Sequence, residues 1–278
     1  MADIGDPRVQ PALEAMLMDD PASLQDAIDR DPEVVAVRWG ENTLLEWLTQ
    51  PPGPPSLEIA GVLIANGAAL DRALNLAGCW DLAALCRQLL DAGADPAARA
   101  DAGITPLESA AMHGAVEAAD VLVTAGLHRP SLWLAAAAGL RDEVTAWVGA
   151  EGELVGDPGS YRPRLSDVGH PPSPEPGNDR LSVLAEAVVF AGANGRMSVV
   201  DDLLGMGFSV DERLSSNITA LHLAILFGNP DAVRGLLERG AATNLHDDWY
   251  SSDARAWAQA CLNDDPRSHA VADLVTAG

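Results

Sequence analysis

Apolar positions recur along this chain in short helical runs, and the same run keeps returning. Thr219-Ala-Leu-His-Leu-Ala-Ile-Leu-Phe-Gly228 is followed by Asn-Pro-Asp-Ala-Val-Arg-Gly-Leu-Leu-Glu-Arg-Gly240. Thr105-Pro-Leu-Glu-Ser-Ala-Ala-Met-His-Gly114 is followed by Ala-Val-Glu-Ala-Ala-Asp-Val-Leu-Val-Thr-Ala-Gly126. The end of the unit recurs as Leu-Leu-Asp-Ala-Gly93, Leu-Ile-Ala-Asn-Gly67 and Leu-Leu-Gly-Met-Gly207. Gly93 to Gly126 is 33 residues, and so is Gly207 to Gly240. Each unit predicts two helices. Thr caps the first, and Pro at its first position loses nothing, because that N–H has no helical partner. Gly114 and Gly228 break the chain between the helices. Gly93 and Gly240 end the second helix in a left-handed conformation. One such pair cannot bury its apolar face, so stacked neighbours must build the core.

The pattern resembles the ankyrin repeat, which has this period and a T-P-L-H-x-A signature. The resemblance implies an all-α solenoid of about eight helix-turn-helix units. An N-terminal cap fits residues 8–37, with helices near 8–18 and 21–30. Later units start at Thr43, Arg72, Thr105, Pro130, Leu181 and Thr219, and a degenerate cap runs from Asp253 to Gly278. Unit two is interrupted by Pro51-Pro-Gly-Pro-Pro55, and unit three has Asp81 where the mid-repeat glycine belongs.

Residues 150–180 depart from the repeat. They hold six Pro and five Gly and end in Pro171-Pro-Ser-Pro-Glu-Pro-Gly177, a composition that excludes a helix and argues against a strand. The expected organisation is therefore repeats over 1–149, an irregular insertion over 150–180, and repeats over 181–278. The insertion falls where a repeat places its hairpin finger. It reads as an enlarged finger or linker on the surface, with a flap over the concave groove as the sharper alternative.

The resemblance also implies where partners bind: at finger tips and at the end of each first helix. Those positions hold Trp39, Trp80, Met112, His113, Leu226, Phe227, Trp249 and Tyr250, with Asp101, Ile104, Ser216 and Ile218 on further fingers. Trp and Tyr make large rigid contacts with a polar handle, which suits recognition. Trp47, Trp133, Trp147 and Trp257 fall at core-like phases and are expected to pack internally.

Composition narrows the chemistry. The 17 basic residues are all Arg and the acids number 41, giving a net charge of −24. Such a chain repels phosphate backbones, which excludes non-specific nucleic-acid binding. Without Lys there is no Schiff-base or P-loop lysine. No apolar run approaches a membrane span, and Met1-Ala-Asp-Ile-Gly-Asp is no signal peptide. Cys79, Cys86 and Cys261 form no CxxC pair, which points to a reducing, cytoplasmic setting without structural zinc. The Ala- and Arg-rich composition points to a bacterial source. The acidity reads as a solvated outer face. No cofactor fingerprint, GxSxG or HExxH is present.

Glu46 and Glu108 stand where the repeat's structural His belongs, and Glu186 replaces the Thr of unit six. His222 is expected to make that structural hydrogen bond. If the chain were an enzyme, Glu108 with His113 would be its acid–base pair. Glu186 would lie about 20 Å away, because unit five intervenes at about 10 Å per helix layer.

The leading expectation is a monomeric module that grips a protein or peptide in its concave groove, with no cofactor, metal, nucleic acid or membrane. The alternative is a small-molecule-binding protein or an enzyme of cyclase, isomerase or hydrolase type, with the 150–180 segment as lid. The alternative requires an enclosed pocket of several hundred Å3 beneath that segment.

Overall fold

The computed structural model describes residues 8–50, 55–100, 103–126, 131–149, 151–156 and 162–277. The Pro51–Pro54 interruption, Asp101, the Pro130 start of unit five, and positions 150 and 157–161 of the insertion lie outside these residues. Among the described residues there are sixteen α-helices and no strands. The helices are paired as the repeat predicts, and they fall into two compact units. One comprises residues 1–110 and 117–128, the other residues 111–116 and 129–278.

In the first unit, α1 (Gln10–Leu17) pairs with α2 (Pro21–Arg30), and α3 (Leu44–Leu48) with α4 (Leu57–Ala65). Next, α5 (Asp71–Cys79) pairs with α6 (Ala83–Asp91), and α7 (Pro106–His113) precedes α8 (Val116–Thr124). Capping follows the sequence. The carboxylate of Asp20 accepts from Ser23 N–H ahead of Pro21, and the Ser56 hydroxyl accepts from Ile59 N–H. Each takes up a donor that the first turn leaves without a helical partner. Helices α2, α4 and α6 stack in one row, burying Leu24, Ile28, Ile59, Leu63, Leu85 and Leu89. Asp81 takes the left-handed turn at φ +57° in place of glycine. Its side chain accepts from Ala118 N–H at 2.8 Å, which offsets the strain of a non-glycine residue there.

In the second unit, α9 (Leu132–Ala138), α11 (Arg180–Ala193), α13 (Ala220–Leu226) and α15 (Ala254–Ala260) form one row. The other row is α10 (Arg141–Trp147), α12 (Met197–Gly205), α14 (Pro230–Glu238) and α16 (Pro266–Ala277). Every residue of α9 is buried, and its alanines let α11 approach closely. Between α11 and α13 the fit is tighter still, since a Cβ on Gly192 would stand 2.7 Å from Ala220 Cβ. Leu184, Val188, Val199 and Leu203 fill the core between the rows. Trp133 and Trp257 are buried, and Trp147 packs against this core, as their phases predict.

The inserted segment lies in this second unit. Among its described residues the one regular element ahead of α11 is a short 3-10 turn at Leu165–Val168, and residues 170–178 have no regular secondary structure. Helix α11 has 14 residues where α13 has seven. The extra turns precede Glu186 and begin at Asp179, whose carboxylate caps Leu181 and Ser182 N–H.

Candidate functional site

The inner-helix carboxylates have local structural work. Thr105 N–H donates to Glu108 Oε2 at 2.9 Å, and Glu108 N–H donates to Thr105 Oγ1 at 3.3 Å. Thr43 and Glu46 make the same reciprocal pair. So do Thr219 and His222, through Nδ1. These are capping boxes, in which the third helical residue reaches back to the cap. Glu108 is completely buried. The sequence expectation of Glu108 as a proton-transfer group is corrected on that ground: its carboxylate is tied to the helix start. Glu46 also receives Arg72 Nη1 at 2.6 Å, a bond to the next repeat. Burial lowers the His222 imidazole below its usual range and keeps it neutral. Burial also pushes the Cys79 thiol up to about 11 and the Cys86 thiol up to about 12, so neither is a ready nucleophile.

The inserted segment is bound to the fingers of the second unit. At its root, Arg162 Nε and Nη2 donate to the two oxygens of Glu186, each at 2.7 Å. Burial drives the Glu186 carboxyl up to about 7, against the opposing pull of Arg162. Further along, Trp249 Nε1 donates to Ser173 Oγ at 2.9 Å, and Ser215 Oγ donates to Pro174 O at 2.8 Å. The His170 ring stacks on Trp249 with centroids 5.9 Å apart, and His113 lies 6.4 Å beyond it. Burial, helped by the neighbouring His113, lowers the His170 imidazole. Between the segment and the finger at 213–218 is a cavity of about 310 Å3, bordered by Glu186, Arg164, Arg213, Ser173 and Asn217.

The eight expected recognition residues separate by exposure. In the first unit, Trp80 is 47% exposed at the end of α5. Trp39 is half-buried on its finger, where its ring packs at 4.7 Å against Trp47. Trp47 Nε1 donates to Trp39 O, yet Trp47 remains 37% exposed, so it is not the core residue its phase predicts. In the second unit, Met112 is fully buried and offers a partner no surface, which corrects its placement in the recognition set. His113, Leu226 and Phe227 are half-buried. The Phe227 ring is seated over Gly114. Trp249 is half-buried beneath the inserted segment, and Tyr250 is 61% exposed.

Asn194 Nδ2 donates directly to Ala111 O at 3.0 Å. Among the described residues, no three His, Cys, Asp or Glu side chains are placed to hold a metal ion, and no helix is long and apolar enough to cross a membrane.

Comparison with known proteins bears on one stretch of the second unit. Residues 186–237 match the family model described as ankyrin repeats (many copies). That stretch is similar to ankyrin repeats. A search of solved structures finds, among others, the human ASB11 ankyrin repeat domain. It is 18% identical, with a TM-score of 0.43, over 95% of this chain and 97% of that one. No curated protein matches the sequence. Ankyrin repeats generally mediate protein–protein interaction.

Three residues of the inserted segment carry no signal in the sequence. Arg162 and Ser173 sit in a segment without periodicity, and nothing in it marks which side chains point inward. His170 likewise has no repeat register. The capping boxes did carry a signal, the Thr-x-x-Glu spacing of Thr43 with Glu46 and Thr105 with Glu108.

Proposed function

We propose that the chain is a protein- or peptide-binding module whose first unit offers Trp39, Trp47 and Trp80 to its partner, working in a reducing compartment where its cysteines stay free. The observation that carries this reading is Trp80, an indole 47% exposed at a helix end. A large aromatic group left in water gains little for the fold, and indoles of this kind dominate binding energy once a partner covers them. The tilted Trp39–Trp47 pair adds a second aromatic surface on the finger. The repeat architecture supports the same reading, since ankyrin repeats generally act by protein interaction. The test is affinity capture with the native chain and with Trp80→Ala. Recovery of a stoichiometric protein by the native chain, lost in the variant, supports the reading. Equal recovery by both contradicts the site.

A second reading, a small-molecule site, rests on the cavity of about 310 Å3 beneath the inserted segment. That volume is in the range of ligand pockets. Arg213 borders it, and its side chain has no hydrogen-bonded or ion-paired partner among the described residues. Native mass spectrometry of the purified chain tests it: a bound small anion, lost in Arg213→Ala, is the supporting result.

A further inference from the structure

Residues 170–177, His-Pro-Pro-Ser-Pro-Glu-Pro-Gly, hold four prolines in eight positions and form no helix or strand. Proline has no N–H to donate, so such a segment presents carbonyls and apolar rings. The surface that receives it has the matching features. An indole N–H from Trp249 meets Ser173, and the Ser215 hydroxyl meets the carbonyl of Pro174. Behind them is an aromatic wall. Trp249 stacks on Trp257 at 6.1 Å and 23°, and Tyr250 meets Trp249 nearly edge-on at 6.5 Å. Aromatic walls with a few hydrogen-bond donors are how proteins take up proline-rich peptides, whose stiffness lowers the entropy cost of binding.

The receiving finger is built without help from the segment. Asp247 accepts from Tyr250 N–H, Ser252 N–H and the Trp257 indole, and Asn217 donates to Asp248. The segment is fixed outside its contact stretch. Arg162 holds Glu186 on one side and donates from Nη1 to Asn178 Oδ1 at 3.3 Å on the other. Residues 170–177 can therefore leave the finger while both ends stay anchored.

We propose that residues 170–177 are a tethered ligand, occupying a site on the fingers of the second unit that takes proline-rich peptides of a partner protein. A tethered segment needs only weak contacts, because its local concentration is high. An incoming peptide must compete with it, and its apparent affinity falls by the fraction of time the site is free. This inference is independent of the tryptophans of the first unit.

The test is a titration with a synthetic peptide of residues 168–178, monitored by isothermal titration calorimetry so that every variant is read in the same way. It is run on the full native chain and on the double variant His170→Ala with Ser173→Ala, which weakens the tethered segment and leaves the finger intact. The expected result is binding to the double variant roughly tenfold tighter than to the native chain. Adding Trp249→Ala abolishes it. Should that triple variant fail to fold, Ser215→Ala in the same background is expected to weaken binding several-fold. Equal affinity for native chain and double variant overturns the proposal. So does an absence of binding to both at peptide concentrations on the order of millimolar. Loss of protein capture in Trp80→Ala reads the first unit alone, so failure of either idea leaves the other standing.

Discussion

Arg162 grips Glu186 through two parallel N–H···O bonds of 2.7 Å, joining the inserted segment to α11 across 24 residues of chain. Both side chains are almost out of water, at 12% and 5% exposure. Removing one partner of such a pair strands the other, and the cost comes mainly from the charge left behind. Arg162→Ala is expected to destabilise the second unit by about 3 kcal/mol above pH 7. At pH 5 the loss is smaller, because the Glu186 carboxyl protonates instead of remaining charged. Urea unfolding at the two pH values measures the difference.

Glu186 itself makes stability depend on pH. Its carboxyl is raised from 4.5 to about 7 in the folded chain. A raised acid contributes stability that is complete below pH 4.5 and lost as pH rises through 7. His170 has the opposite linkage: its lowered imidazole contributes above 6.5, and the contribution is lost as pH falls through its folded value. Glu186→Gln is expected to remove the decline between pH 5 and 8 that this linkage predicts for the native chain, within about 0.5 kcal/mol. Unfolding curves across that range, with the carboxyl resonance followed by NMR, check both the midpoint and its sign.

The capping boxes predict a graded series. Thr43→Ala and Thr105→Ala each lose a cap and should cost about 1 kcal/mol. Glu108→Gln keeps an acceptor at the same place and should cost less than about 0.5 kcal/mol. Glu46→Gln should cost more than Glu108→Gln, because Glu46 also accepts Arg72. Denaturant midpoints rank the four variants.

These boxes also mark how far the sequence can be read. Thr219-Ala-Leu-His and its relatives disclose the helix pairs because capping and apolar spacing act within a few residues. Asp81 was legible as a turn residue for the same reason. Glu108 invited a chemical reading because its neighbours in space were unknown, although its spacing from Thr105 contained the structural answer. Met112 and Trp47 went the other way, one buried and one exposed, since side-chain phase on a short helix does not fix what packs over it. The inserted segment was invisible in detail. Its contacts, Ser173 with Trp249 and Arg162 with Glu186, join residues 76 and 24 positions apart, and no local pattern encodes such distances.

Gly114 gives a further prediction. Its φ is +69°, and an added Cβ would collide with the Phe227 ring. Gly114→Ala should cost more than about 1 kcal/mol. Combining it with Phe227→Ala removes the ring from the collision and leaves the contact with the Cβ of residue 227, at 2.6 Å, together with the backbone strain. A double-mutant cycle by thermal unfolding separates the two parts.

The most direct test of the binding account is hydroxyl-radical footprinting of the full chain with and without its captured partner. The account predicts protection of Trp39, Trp47 and Trp80 on partner addition, with the exposed outer position Leu57 unchanged as reference. Unaltered labelling of the three indoles in a saturated complex would contradict it.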